Sequence, residues 1–416
     1  MFRNIAPLNH YGVKKIKLHW QILIALGLGI VFGLVFPDLV RYIEWMGILF
    51  LRLLRMIIIP LVFSSIIMGV TGIGSAENLG RMSLKTISYY IFTSLLAIAT
   101  GLVMVNLIKP GVGADLGLGE VIEGLNASTD SFGMTLIKII PTNIIDAMAK
   151  GDLPAIIFFA VIFGFFATRV ASTYRDPIVN FFNAIFEIMM KITLFVIKFT
   201  PLGVFGIVAA LVADNSDNLL SVFGHLGMYM LTVIIALIVH AVIFLPIMLR
   251  IIGRVNPLKH FKGMSVPLLT AFSTSSSSAT LPLTMEAVEF NSGVSNKTSS
   301  FVLPLGATIN MDGTALYQCV AVLFIAQAYG IELSLVQQFI VMVTALLASI
   351  GAAGIPMAGL VIMTVILSAV GLPIEGLGLI LAVDRILDMF RTAVNVWSDT
   401  CGAVIIAKSE GEKLNV

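Results

Sequence analysis

Six apolar runs, at 18–37, 44–73, 84–108, 136–168, 178–212 and 220–252, limit what this chain can fold into more than any other feature. Each has at least the ~20 residues that an α-helix needs to cross ~30 Å of hydrocarbon. In lipid every backbone N–H and C=O must find its partner inside the protein, which leaves only helices or closed β-barrels. Barrel strands alternate in polarity, and these runs do not. The chain therefore reads as an all-α polytopic membrane protein. Of its 416 residues 58% are hydrophobic and 12% charged, where a soluble domain carries about 25% charged residues. The net charge of +2 is too small to suggest a nucleic-acid partner. Cys319 and Cys401 both lie in apolar segments, without metal spacing or a disulfide framework, and read as buried, reduced thiols. No cleavable signal peptide is evident: Arg3, Lys14, Lys15 and Lys17 precede a run long enough to be a first span.

The loops set an orientation. Arg81 and Lys85, Arg169 and Arg175, and Arg250, Arg254, Lys259 and Lys262 make alternate loops basic; Asp115, Glu120, Glu123 and Asp130, then Asp214 and Asp217, make the others acidic. The positive-inside rule puts the N-terminus in the cytoplasm, and Lys408 and Lys413 put the C-terminus there too.

Beyond 252 the pattern changes. A polar block, Ser273 to Ser278, interrupts an apolar run, and consecutive serines suit a turn between half-helices better than a helix interior. The segment Ser349 to Pro356 repeats the idea, with the length of Ser275 to Pro282, Ser first and Pro last. Each tip precedes a long apolar segment with polar groups at mid-depth. Paired interruptions of this kind point to a repeat-built transport site. The reading is two re-entrant helical hairpins, related as inverted repeats, that enter from opposite sides and meet near the midplane.

Two further stretches carry the chemistry. In the last apolar segment Asp388, Arg391, Thr392, Asn395 and Asp399 fall at i, i+3, i+4, i+7 and i+11, one helical face, with Asp384 a turn earlier and Arg385 at the edge. Charges at membrane depth cost several kcal/mol unless they face each other, a substrate or an ion. Arg391 offers a planar fork to a carboxylate and Asp388 suits an ammonium, which together describe an acidic α-amino acid. Asp384 is placed to steady the guanidinium, and the helix N-termini at the hairpin tips can hold an α-carboxylate. In LPLGATINMDGTALYQ, Gly306 and Gly313 loosen the helix while Asn310 and Asp312 bring oxygen ligands beside freed carbonyls, a sodium site in physical terms. Asp399 offers a second carboxylate; Tyr90, Thr93 and Ser94 are hydroxyl partners for Asp312.

The motifs SSSSATLP, NMDGT, SIGAAGIP and DMFRTAVN, in that order, resemble the glutamate/aspartate transporter family, the dicarboxylate/amino acid:cation symporters, in a prokaryotic member, and the likeness runs from the first span to AKSEGE. It implies eight transmembrane helices plus the two hairpins, and sodium-coupled symport of L-aspartate or L-glutamate by an elevator motion. It implies a homotrimer in the cell inner membrane, surrounded by membrane lipid. Scaffold would be 1–83 and 136–212; transport domain would be 84–110 and 220–416, with the second hairpin gating the outside. By motif, Ser276, Ser277, Met311, Thr314, Ile355, Gly359, Asp388, Arg391, Thr392 and Asn395 would contact substrate. Gly306, Asn310, Asn395 and Asp399 would bind one sodium ion; Thr308, Ser349, Ile350 and Ala352 a second; Tyr90, Thr93, Ser94, Asn310 and Asp312 a third.

The chain departs from family patterns at Ser275 and Met389, where different members carry an arginine; Arg385 is the residue here that can take that role. Ala352 replaces a threonine, which a backbone ligand tolerates. Within the family, a proton-coupled glutamate or C4-dicarboxylate symporter is the alternative, and the ammonium partner Asp388 argues against a dicarboxylate. A dedicated channel would line a continuous pore. An enzyme would need a nucleophile–base pair, and no histidine lies near the serine run. Arg52 and Arg55 read as scaffold or lipid-head contacts, and His225 and His240 receive no function.

Overall fold

The structure, a computed structural model, describes residues 18–74, 80–114, 137, 140–214, 219–350 and 358–416. Every regular element among them is a helix. Among the described residues five helical stretches are long and apolar enough to cross a membrane, Glu44–Thr71, Arg81–Ile108, Ser172–Ile197, Ser221–Ile251 and Asn296–Ala328, and shorter apolar helices accompany them. The molecule is an all-helical, multi-pass membrane protein.

In chain order the first helices are α1 (Leu18–Val35), α2 (Glu44–Gly74) and α3 (Gly80–Ile108), matching the first three runs. The run at 136–168 is not one span. It holds α4 (Ile144–Lys150) and α5 (Leu153–Ala167). Gly151 takes the left-handed conformation (φ 73°) that ends α4, and Asp152 restarts the chain by accepting from the Ala155 N–H at 3.5 Å. The run at 178–212 divides likewise into α6 (Ser172–Ile197) and α7 (Thr200–Asp214). Pro201 has no N–H for the carbonyl four residues back, so the ladder breaks there; Gly203 resumes it by donating to Phe199 O at 3.0 Å. The sixth run is α8 (Leu219–Val239), a π-helical turn His240–Phe244, and α9 (Leu245–Ile251). Pro246 cannot donate to Val242, and the turn before it widens until Leu245 N–H reaches His240 O, five residues back.

The last third is short helices and one long one: α10 (Pro257–Gly263), α11 (Ser265–Thr274), α12 (Ser277–Ser292), α13 (Asn296–Ile309), α14 (Asp312–Ala328), α15 (Leu335–Ile350), α16 (Ala358–Ala369) and α17 (Leu377–Ser409). The serine run is the turn of a helical hairpin. Ser275 sits in the left-handed region (φ 53°), Ser276 caps α12 by accepting from the Ala279 N–H at 3.2 Å, and α11 packs on α12. Most of the second tip, 351–357, lies outside the described residues, as do the loop acids Asp115, Glu120, Glu123, Asp130 and Asp217 and the basic N-terminal residues.

Packing is densest within two groups of helices, which meet where α15 and α16 touch α2 and where α17 touches α7. α1 lies along α7, and α2 packs on α5, α6 and α7. Small residues set these approaches: a Cβ on Gly33 would meet Ala209 O at 2.6 Å, and one on Gly203 would meet the Phe50 ring at 2.4 Å. α3 lies against α14 and α8, while α17 touches α8, α11, α12, α13 and α14. The span Asn296–Ala328 is the most enclosed of the five and Ser172–Ile197 the least. The chain end ties this second group together. Glu410 accepts from Lys85 (2.6 Å) and Arg81 (2.9 Å) on α3. Glu412 accepts from the Ser295 N–H at 2.7 Å and the Thr298 hydroxyl at 2.5 Å, and Asn415 N–H donates to Ser292 O at 2.9 Å.

Candidate functional site

The path between α13 and α14 is broken by two residues, Asn310 (φ −93°, ψ 83°) and Met311 (φ −110°, ψ 55°), both buried. α17 runs unbroken past this point. Two polar clusters result, one around Arg391 and one around Asp399. At a rise of 1.5 Å per residue these two positions lie about 12 Å apart along α17.

The first cluster centres on Arg391, which is 1% exposed. Its Nη1 lies 3.2 Å from Asp384 Oδ1, its Nη2 2.9 Å and its Nε 3.0 Å from Asp388 Oδ1. Tyr317 donates its hydroxyl to Asp384 Oδ1 at 2.7 Å, and the guanidinium carbon stands 4.1 Å over the Tyr317 ring. Arg385 approaches from the edge, its Nη1 3.5 Å from Asp388 Oδ2. Asp384 Oδ2, Asp388 Oδ2 and Arg391 Nη1 are buried without a hydrogen-bond partner among the described residues. Gly359 on α16 closes over the guanidinium: a Cβ there would stand 2.9 Å from Nη1. One turn along, Asn395 accepts from the Gly313 N–H at 2.7 Å and donates to the Thr314 hydroxyl at 3.1 Å. Thr392 is buried beside them.

The second cluster joins two buried carboxylates. Asn310 donates to Asp399 Oδ1 (2.9 Å) and to Ser398 Oγ (3.0 Å), and Ser398 in turn donates to Asp312 Oδ2 (2.6 Å). Ser94 donates to Asp312 Oδ1 at 2.7 Å, the Thr93 hydroxyl lies 3.3 Å from Asn310 Oδ1, and Tyr90 donates to Val302 O at 2.7 Å. His240 Nε2 lies 3.2 Å from Asp312 Oδ2. Among the described residues His240 is the basic group paired with these carboxylates, and no arginine or lysine is within ion-pair distance. Such a pair, rich in neutral oxygen donors, suits a hard monovalent cation. No group of three or more His, Cys, Asp or Glu among the described residues gathers as a transition-metal site.

Several sequence readings change here. Gly306 and Gly313 are not loosening residues; both lie inside helices and permit close approach. A Cβ on Gly306 would sit 2.5 Å from Asp399 Oδ1 and 2.6 Å from the Tyr90 hydroxyl, and one on Gly313 would sit 2.5 Å from Arg391 O. Asp312 takes its hydroxyl partners from Ser94 and Ser398, while Tyr90 and Thr93 point to carbonyls and Asn310. His240, given no function from sequence, touches Asp312. Ser398 and Tyr317 were also missed. Tyr317 and Ser398 carry no pattern of their own, and the π-turn at His240 shows in the sequence only as Pro246. Ser276 and buried Ser277 stand at the first hairpin turn, and Met311 lines the helix break. Thr308 is exposed and bonded within its own helix, Ser349 is buried near the end of α15, and Ile350 ends that helix. Ala352 and Ile355 lie outside the described residues.

The relatives of this chain include transporters from bacteria and animals. A proton/glutamate-aspartate symporter of Escherichia coli (strain K12) is 36% identical over 417 residues, 95% of this chain and 93% of its own. A proton/sodium-glutamate symport protein of Geobacillus stearothermophilus is 36% identical over 96% of both chains. Excitatory amino acid transporter 3 of Homo sapiens is 36% identical over 90% of this chain and 80% of its own. The profile of the sodium:dicarboxylate symporter family matches residues 18–409. A polytopic helical chain with two buried carboxylate clusters on one helix, matched over nearly its whole length, belongs to the sodium:dicarboxylate symporter family and is a transporter, not an enzyme.

Proposed function

We propose that the protein is a secondary active symporter for L-aspartate and L-glutamate, driven by inward sodium. The observation that carries this reading is Arg391: a fully buried guanidinium whose Nη1 lacks a hydrogen-bond partner among the described residues, held between Asp384 and Asp388 under the small face of Gly359. A substrate carboxylate can take its fork and the substrate ammonium can take Asp388. Ser276, Ser277, Met311, Thr314, Ile355, Gly359, Thr392 and Asn395 complete the substrate contacts.

Sodium would bind at Asn310, Asp312, Asp399 and Ser94, with Tyr90, Thr93, Gly306 and Asn395 near them, and a second ion at Thr308, Ser349, Ile350 and Ala352. Two buried carboxylates facing neutral donors support a cation. A proton is the second reading; His240 on Asp312 favours it, and the Escherichia coli relative is named a proton symporter. The test is uptake of labelled aspartate into proteoliposomes under imposed gradients. Accumulation should follow an inward sodium gradient; equal accumulation under a proton gradient in sodium-free buffer would replace sodium with the proton.

The mechanism we infer is an elevator. A scaffold of α1, α2 and α4–α7 would stay fixed while α3 and α8–α17 carry both clusters across, with eight spans, two re-entrant hairpins and both termini in the cytoplasm. The denser packing within each group than between them supports it, with α15 and α16 on α2 and α17 on α7 as the contacts that would have to slide. A homotrimer would supply the fixed frame. Glu187 and Lys191 are exposed on α6 near the middle of its span, and charges facing lipid at that depth are costly, which supports a neighbouring copy there.

A further inference from the structure

We infer that Arg385 sets how strictly the pocket demands an ammonium group, so that the site also admits dicarboxylates that carry none. The inference rests on the acidic-substrate reading of the Arg391 cluster. Two aspartates and two arginines form a closed charge set there: Asp384 and Asp388 Oδ1 on Arg391, and Asp388 Oδ2 facing Arg385 at 3.5 Å. A substrate carboxylate that takes the Arg391 fork competes with Asp388 for it. An amino acid then repays Asp388 with its ammonium. A dicarboxylate brings no such group, and without Arg385 it would leave a buried carboxylate stranded, which is costly. Arg385 removes that penalty. Its side chain is 19% exposed against 1% for Arg391, so it reaches Asp388 from the rim and leaves the centre of the pocket to substrate. The same positive charge repels an ammonium beside Asp388. Arg385 thus lowers the preference for amino acids from both directions.

The experiment is binding of L-aspartate and of succinate to the purified full-length protein at saturating sodium, for wild type, Arg385→Gln, Arg385→Met and Arg385→Lys. With Arg385 3.5 Å from Asp388 in a partly buried site, the charges interact strongly enough that the ratio Kd(succinate)/Kd(aspartate) should rise at least about tenfold in both neutral variants. Arg385→Lys should stay near wild type. A merely structural role would weaken both ligands together, so an unchanged ratio in the neutral variants overturns the inference. Wild-type protein that binds aspartate but excludes succinate also overturns it, and that result is available even if neither neutral variant folds. Failure of wild type to bind aspartate at all would overturn the underlying substrate reading instead, before any substitution is made.

Discussion

Arg391 heads the fully buried side chains by size, with Asp384, Asp388 and the Tyr317 ring each on one side of it and Nη1 left for a ligand. Truncation leaves those acids and the substrate carboxylate unpaired. Arg391→Ala should therefore lose ~2–5 kcal/mol of aspartate binding, read in a competition assay with acidic, amide and neutral amino acids. Neutral substrates should survive the change, because Asp388 remains. Wild-type aspartate affinity in the variant would remove Arg391 from side-chain recognition. Gly306 tests the other cluster at single-atom resolution. A methyl group there collides with Asp399 and Tyr90, so Gly306→Ala should weaken sodium binding. Through linkage it should weaken aspartate binding at fixed sodium by the same factor that aspartate loses in promoting sodium. Titration of each ligand with and without the other checks both halves.

At the scale of elements, the break between α13 and α14 works only because α14 begins pressed against the middle of α17. Gly313 is the contact point. Its own N–H bonds Asn395, and a Cβ would strike the backbone of Arg391 rather than a movable side chain. Gly313→Ala should cost ~1–3 kcal/mol by overpacking and lower the thermal unfolding midpoint in detergent. Unchanged stability would mean that the two helices can separate there without loss. The first hairpin turn has the opposite character. Ser275 holds a left-handed conformation that glycine adopts more readily, and its capping is done by the next residue, Ser276.

Two features belong to the molecule as a whole. If Glu187 and Lys191 meet a neighbouring copy, Glu187→Lys places like charges together at mid-membrane. Native mass spectrometry should then show the trimer giving way to monomers; an intact trimer would move the interface away from this face of α6. The chain-end clasp depends on pH. Hydrogen bonds from Arg81 and Lys85 hold the Glu410 carboxyl down at about 2, from an ordinary 4.5. A carboxyl depressed in the folded state stabilises it fully above the unfolded value and loses that contribution as pH falls through the folded one. The clasp should hold from about pH 7 to about 4.5 and loosen between about 4.5 and 2. Hydrogen exchange at 410–416 measures it, and Glu410→Gln should show the loosened exchange already at about pH 7.

Helicity, membrane residence, the serine turn and the break at Asn310 were all legible in the chain. Each arises from local chemistry: long apolar runs, hydroxyls that compete for backbone, and a stripe whose charges lie at helical spacing. Tertiary structure decided what a linear pattern cannot carry. Pro201 and Gly151 divide two long runs, because a missing donor and a left-handed residue outweigh continuous hydrophobicity. Gly306 and Gly313 serve close contact with Asp399 and Arg391, residues far along the chain, rather than flexibility. Ser398, Tyr317 and His240 acquire their roles only where α3, α8, α14 and α17 converge. A buried carboxylate must find donors wherever packing brings them, and packing, unlike periodicity, is not written in neighbouring residues.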